Sequence, residues 1–119
     1  METVEILGEM CHLEFSLYEN GTISITAVRI ADDSPWCVPT VNWTQNWRAE
    51  YYAYRMRFPT VVIKNYSENE GVFQNLVNEK VIIPGTNVEG TNGTVKTGIL
   101  TLKWQTIAQE QLDNYGTQY

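Results

Sequence analysis

The chain has 119 residues, with 43% hydrophobic and 18% charged side chains and a formal net charge of −6. That length fits one domain with a core of its own, and the composition excludes both disorder and a membrane span of ~18 consecutive apolar residues. The acidic balance argues against a nucleic-acid backbone as the main partner, since binding phosphates draws on clustered Lys and Arg, and it suits a partner with a basic surface as well as it suits solubility. The first residues, METVEILGEMCH, are acidic and lack an apolar core segment, so no secretory signal is expected and the chain is read as cytoplasmic. In a reducing compartment Cys11 and Cys37, which lack CxxC spacing, are expected as two free buried thiols. The sequons at Asn20, Asn42, Asn65 and Asn92 are then chance matches.

In chain order, the hydrophobes Val4, Ile6 and Leu7 are too few to define an element. A β-hairpin comes next. Leu13, Phe15 and Leu17 alternate with polar residues, Asn20-Gly21 supplies a tight turn, and Ile23, Ile25 and Ala27 alternate on the return. Asp32, Asp33, Ser34 and Pro35 read as a loop, and Trp36 to Trp43 as a third strand that Pro39 confines to an edge or a bulge. From Thr44 to Arg57 the aromatics fit helical and strand spacing equally, which leaves a loop with a short helical turn leading into Pro59.

Thr60 to Ile63 is a β-branched run that reads as a buried strand feeding a helix over Ser67 to Glu79. Ser67 is its expected N-cap, Glu70 closes a capping box, and Val72, Phe73, Leu76 and Val77 form the apolar stripe that packs on the sheet. Val81 to Ile83 is a brief strand stopped by Pro84-Gly85, Val95 to Trp104 a closing strand, Thr106 to Leu112 a short helix, and Asp113 onward a fraying tail. The expected fold is one α+β domain over residues 1–119, with an antiparallel or mixed sheet of four to six strands and one main helix on one face.

The run VVIKNYSENEGVFQNLV, the short apolar strand after it, the Gly-bearing segment ending in TGILTL and the upstream hairpin with its Asn-Gly turn carry a resemblance. Over about Leu13 to Leu102 the chain resembles an uncharacterised domain-of-unknown-function family of short proteins from Firmicutes phages and mobile elements. Thr44 to Arg57 is longer and richer in aromatics and arginine than that pattern. The resemblance implies no named activity. It implies a genomic setting in which many small proteins inhibit or sequester components of bacterial immunity.

Chemistry is sparse in the sequence. His12 is the one histidine, with only Glu14 locally in line, and is expected at the surface rather than as a metal ligand or base. Glu68 and Glu70 are explained by helix capping, and no phosphate-loop, dinucleotide or nucleophile-elbow motif occurs. No enzyme, cofactor or metal site is expected.

One constellation stands out: Trp36, Trp43, Trp47, Arg48, Tyr51, Tyr52, Tyr54, Arg55 and Arg57 fall within 22 residues. They include three of the four Trp, three of the seven Tyr and three of the four Arg, the residue types that dominate binding hot spots. The competing reading is that at least half of the rings fill the core. The expected contact residues are Trp43, Trp47, Arg48, Tyr51, Tyr52, Arg55 and Arg57. They support a non-catalytic protein that binds and inhibits a host protein with a basic surface, for example a nucleic-acid-handling or defence protein, in the anti-CRISPR manner. The alternative is a binder that sequesters a small nucleotide signal, the rings stacking on a base and arginine forking onto phosphate.

Overall fold

The computed structural model describes residues 2–19, 21–42, 58–90 and 93–116. The fold is α+β, as the sequence predicts, but its strands divide between two antiparallel sheets instead of forming one. The first sheet is a meander of β1 (Val4–Ile6), β2 (Glu9–Leu17), β3 (Ile23–Arg29) and β4 (Pro35–Cys37), in that order. The expected hairpin is its centre. Leu13 pairs with Ala27 and Phe15 with Ile25, all four buried, while Glu14 and Ser16 stay exposed on the opposite face. β1 carries no clear sequence signal because its turn has Leu7 at φ 49 where Asn or Asp is usual, followed by Gly8 at φ 84. The expected strand from Trp36 to Trp43 contracts to Pro35–Cys37, with a register shift between Ala27 and Val28, since Pro39 lacks the donor that would extend the ladder.

The second sheet has the order β5 (Thr60–Ile63), β8 (Gly93–Leu100), β6 (Ile82–Pro84), with β7 (Val88–Gly90) also paired to β8. Gly98 is required where β6 crosses close to β8, because a Cβ there would lie 2.6 Å from Ile82 Cδ1. Gly85 N–H donates to Thr97 C=O at 2.9 Å, so the neighbouring Pro84 occupies a position whose donor would face the open edge.

Residues 38–41 join the sheets. Thr40 bridges to Ile63, Val41 N–H donates to Val62 C=O at 3.1 Å, and Lys64 N–H donates to Pro39 C=O at 2.8 Å. The Thr40 side chain turns the other way. Its Oγ1 accepts from Ile25 N–H at 3.0 Å, beyond the end of β4, and lies 3.1 Å from the Tyr18 hydroxyl.

The helices differ most from expectation. Ser67 begins a 3-10 turn, Ser67–Asn69, with φ 58, whereas an N-cap needs extended backbone, and no side-chain cap bond forms there. Helix α1 spans only Val72–Asn78 and starts at Gly71, whose φ of 97 suits glycine. Asn65 does the capping from a distance: its Oδ1 accepts from Gly71 N–H at 3.2 Å and Phe73 N–H at 2.9 Å. The chain folds back through the 3-10 turn to bring Asn65 there, a loop geometry that a capping-box pattern does not encode. Val72 and Leu76 are buried as expected, but Phe73 and Val77 are only half-buried, and the Lys96 ammonium sits 5.0 Å from the Phe73 ring centroid.

The longer helix is C-terminal. Helix α2 runs over Leu102–Gly116, so the closing strand ends at Leu100 rather than at Trp104, and helix replaces the start of the tail expected from Asp113. Trp104 and Ala108 bury on one face four residues apart, and Trp104 meets Phe15 with ring centroids 6.1 Å apart. Phe15, Val61, Ile63, Leu76, Ile82, Leu100 and Trp104 belong to a single apolar cluster that draws on both sheets and both helices.

The helices also close strand edges. Along β1, Leu7 N–H donates to Asn75 Oδ1 at 2.8 Å and Glu5 N–H to Glu79 Oε2 at 3.2 Å. Where β2 runs past β1, the Gln111 amide stands in for a strand: Phe15 N–H donates to its Oε1 at 2.7 Å and its Nε2 donates to Leu13 C=O at 3.1 Å. Among the described residues no helix is long and apolar enough to cross a membrane.

Two stability measurements check this account by chemical denaturation. Asn65→Ala should cost about 0.5–2 kcal/mol by uncapping α1, whereas Ser67→Ala should stay within about 0.5 kcal/mol of wild type. Thr40→Val, nearly isosteric, should cost about 1–3 kcal/mol by leaving Ile25 N–H buried without an acceptor, and Thr40→Ser should recover most of that loss.

Candidate interaction surface

The expected contact residues Trp43, Trp47, Arg48, Tyr51, Tyr52, Arg55 and Arg57 lie outside the described residues, as does Tyr54. The described chain leaves at Asn42 and returns at Phe58, and both ends are held on the second sheet. Val41 is bonded to Val62 of β5, and Pro59 C=O accepts from Leu100 N–H at 2.9 Å.

Trp36 is the described member of the aromatic group, and it has a structural task. Its indole N–H donates to Ile6 C=O at 2.9 Å, and the Arg29 guanidinium lies 5.3 Å from the ring centroid. Arg29 is itself fixed by Asp32, which it pairs with through Nη2 and also reaches through Nε at 3.2 Å. The Ser34 hydroxyl donates to the same carboxylate at 2.7 Å. The Ser34 and Arg29 hydrogen bonds hold the Asp32 carboxyl down at about 2, well below the usual carboxylate range. Trp36 thus ties β4 to the end of β1 through one hydrogen bond while remaining 37% exposed, and the Arg29, Asp32 and Ser34 bonds hold the loop before β4.

Among the described residues the other titratable groups do not assemble. His12 Nε2 is 3.4 Å from Glu14 Oε2 on the outer face of the first sheet, a long contact between neighbours on one strand. Glu68 does not cap a helix. It pairs with Lys64, four residues earlier, at 2.6 Å, and that hydrogen bond, with those from its own backbone N–H and the Ser67 side chain, lowers its carboxyl to about 2. Among the described residues no group of three or more His, Cys, Asp and Glu is placed to hold a metal ion.

Cys11 and Cys37 are free thiols, the first buried and the second half-buried. Cys11 pairs with Arg29 and Cys37 with Ala27, so β3 lies between them. Two strand spacings separate their backbones by about 9–10 Å, beyond the ~7 Å reach of a disulfide. Burial pushes the Cys37 thiol up to about 11, so at neutral pH it is protonated and a poor nucleophile.

A groove of about 520 Å³ lies between the turn end of the β2–β3 hairpin and the C-terminal half of α2. Leu17, Phe58 and Leu112 supply its apolar surface, and Glu19 and Asp113 its charges. A second hollow of about 350 Å³ shares Phe58, Gln109 and Asp113 and continues along α2 past Glu110 toward Gln105. Leu17 is 52% exposed, although its register partner Ile23 is buried. The alternation of Leu13, Phe15 and Leu17 predicts that all three face inward, and it gives no signal for this groove because the hairpin end and α2 that wall it are far apart in the chain.

The two depressed carboxyls give a pH test with a definite sign. A carboxylate whose pKa is lowered on folding adds stability that is complete above its unfolded value of about 4 and is lost as pH falls through the folded value. Thermal melts should therefore show a decline from about pH 4 toward the folded value of about 2, and Asp32→Asn and Glu68→Gln should each flatten part of it. A decline of unchanged depth in both variants would reject these assignments.

No family model, curated protein or solved structure matches the chain.

Proposed function

We propose that the chain is a non-catalytic interaction protein of phage or mobile-element type, which binds and inhibits a host protein through Trp43, Trp47, Arg48, Tyr51, Tyr52, Arg55 and Arg57. The observation that carries this reading is how unevenly charge and rings are distributed. Residues 43–57 hold three arginines and one glutamate, and the rest of the chain holds five basic and thirteen acidic residues. A short basic, aromatic stretch set in an acidic chain combines anchor residues with a long-range field of the opposite sign. That combination suits a partner with a basic groove that also has apolar and acidic pockets, as a nucleic-acid-handling defence protein has. The family resemblance implies the same setting. Trp36 stays outside the contact set, its indole N–H bonded to Ile6 and the Arg29 guanidinium over its ring, although it is 37% exposed.

The test is a lysate pull-down with wild type and an Arg48→Ala, Arg55→Ala, Arg57→Ala variant side by side, with thermal melts as the folding control. The reading expects a protein retained by wild type and lost by the variant, with at least one arginine costing about 2 kcal/mol or more in direct binding. Identical captured sets with equal melts would sink it. The arginine and aromatic pattern also suits a nucleotide, and a nucleotide released from the purified protein on denaturation would move the assignment to signal sequestration.

A further inference from the structure

We propose that the groove between the β2–β3 hairpin end and α2 takes a short extended segment of a partner protein, in which lysine or arginine side chains flank an apolar one. The proposal rests on the reading of the chain as an interaction protein and adds a contact separate from residues 43–57.

Three features of the groove define this occupant. The first is shape and polarity: Leu17, Phe58 and Leu112 form the apolar floor of the larger hollow, and the second hollow, sharing Phe58, continues it along α2 from Asp113 to Gln105. That stretch of helix is ~12 Å long, the span of about four residues of extended chain.

The second is charge. Glu19, Glu110 and Asp113 line the two hollows, and among the described residues of the lining there is no lysine or arginine. The ion pairs among the described residues engage Glu14, Asp32, Glu68 and Glu2, and none of these three carboxylates. Asp113 accepts from Gln109 Nε2 at 2.8 Å, a neutral donor on its own helix. Among the described residues the rim therefore presents negative charge without a cationic partner around an apolar floor, the complement of a basic and apolar segment.

The third is the strand edge. Gln111 takes Phe15 N–H and Leu13 C=O, the edge groups of β2 that point toward α2. Strand alternation turns Leu17 N–H the same way, past the reach of that one amide and into the groove that Leu17 lines. A partner backbone lying there continues the pairing that Gln111 begins, so main-chain bonds orient it while the floor and rim select its side chains.

The test titrates the full-length, isotope-labelled chain with an acetylated and amidated Lys-Val-Lys-Val-Lys peptide, with Glu-Val-Glu-Val-Glu as control, and follows backbone amide shifts. The proposal expects saturable shifts at Leu17, Glu19, Gly21, Gln109 and Asp113, a downfield move of the Leu17 amide, and weaker binding as salt rises from about 50 to about 300 mM. Glu19→Gln, Glu110→Gln and Asp113→Asn together should weaken the basic peptide about tenfold or more while the melting curve stays put. If the triple variant melts early, the three single variants are used, each with a smaller loss in the same direction. Shifts confined to other surfaces, equal binding of the acidic peptide, or an unchanged affinity in the carboxamide variants would overturn the proposal. The arginine variant separates the two readings: a groove that fails while Arg48, Arg55 and Arg57 still govern pull-down removes the groove alone.

Discussion

Thr40 is where the two sheets become one structure. Its backbone bridges to Ile63 in β5, and its hydroxyl accepts from Ile25 in β3 and meets Tyr18. At 3% exposure neither group can turn to water, so the strap at 38–41 has one place to lie. Everything downstream depends on that placement. The strap covers the open side of β5, fixes where the chain departs at Asn42, and holds β3 against β5 so that Ile25 and Ile63 enter a common core.

The same requirement, that buried or edge backbone groups find partners, explains how the helices are attached. β1 is short, yet its outer donors are taken by Asn75 and Glu79 at α1, and Gln111 of α2 reaches the part of β2 that β1 leaves uncovered. Each contact sets the helix position along a strand, whereas the apolar packing of Leu76 or Trp104 sets only its distance from the sheet. Pro84 blunts the β6 edge by removing a donor. The protections are side chains of Asn, Gln and Glu, which are polar enough to seem solvent-facing in sequence.

Function follows from what this framework leaves open. Cys11 is buried and Cys37 half-buried, His12 has one distant carboxylate neighbour, and Asp32 and Glu68 are each held by a cation. Their chemistry is occupied in maintaining loops. Among the described residues Glu19, Glu110 and Asp113 have no such cation, and they lie where β2, α2 and the returning chain at Phe58 meet. The chain thus combines an acidic framework with a basic aromatic stretch of sequence between Asn42 and Phe58, the contrast on which the proposed function rests.

The sequence by itself determined those elements whose signal is local and periodic. The β2–β3 hairpin follows from alternation around Gly21 and β5 from four β-branched residues in a row, whereas the strand read as Val81 to Ile83 and stopped by Pro84 is found one residue on, at Ile82–Pro84, because Pro84 faces the open edge and does not interrupt the pairing with β8. It also determined that aromatic and arginine side chains concentrate at 43–57, whose residues lie outside the described part of the chain. Tertiary structure decided the rest. Trp104 reads as the end of a strand until Phe15 is placed beside it, and only then does its spacing to Ala108 identify a helix face. Ser67 has the right neighbours for a cap, but the left-handed turn it adopts hands that task to Asn65, two residues earlier. The division into two sheets, the strap at Thr40 and the carboxamide of Gln111 on β2 join residues far apart in the chain. Local periodicity carries no information about such pairs, because what selects them is the cost of leaving a particular buried N–H or C=O without a partner.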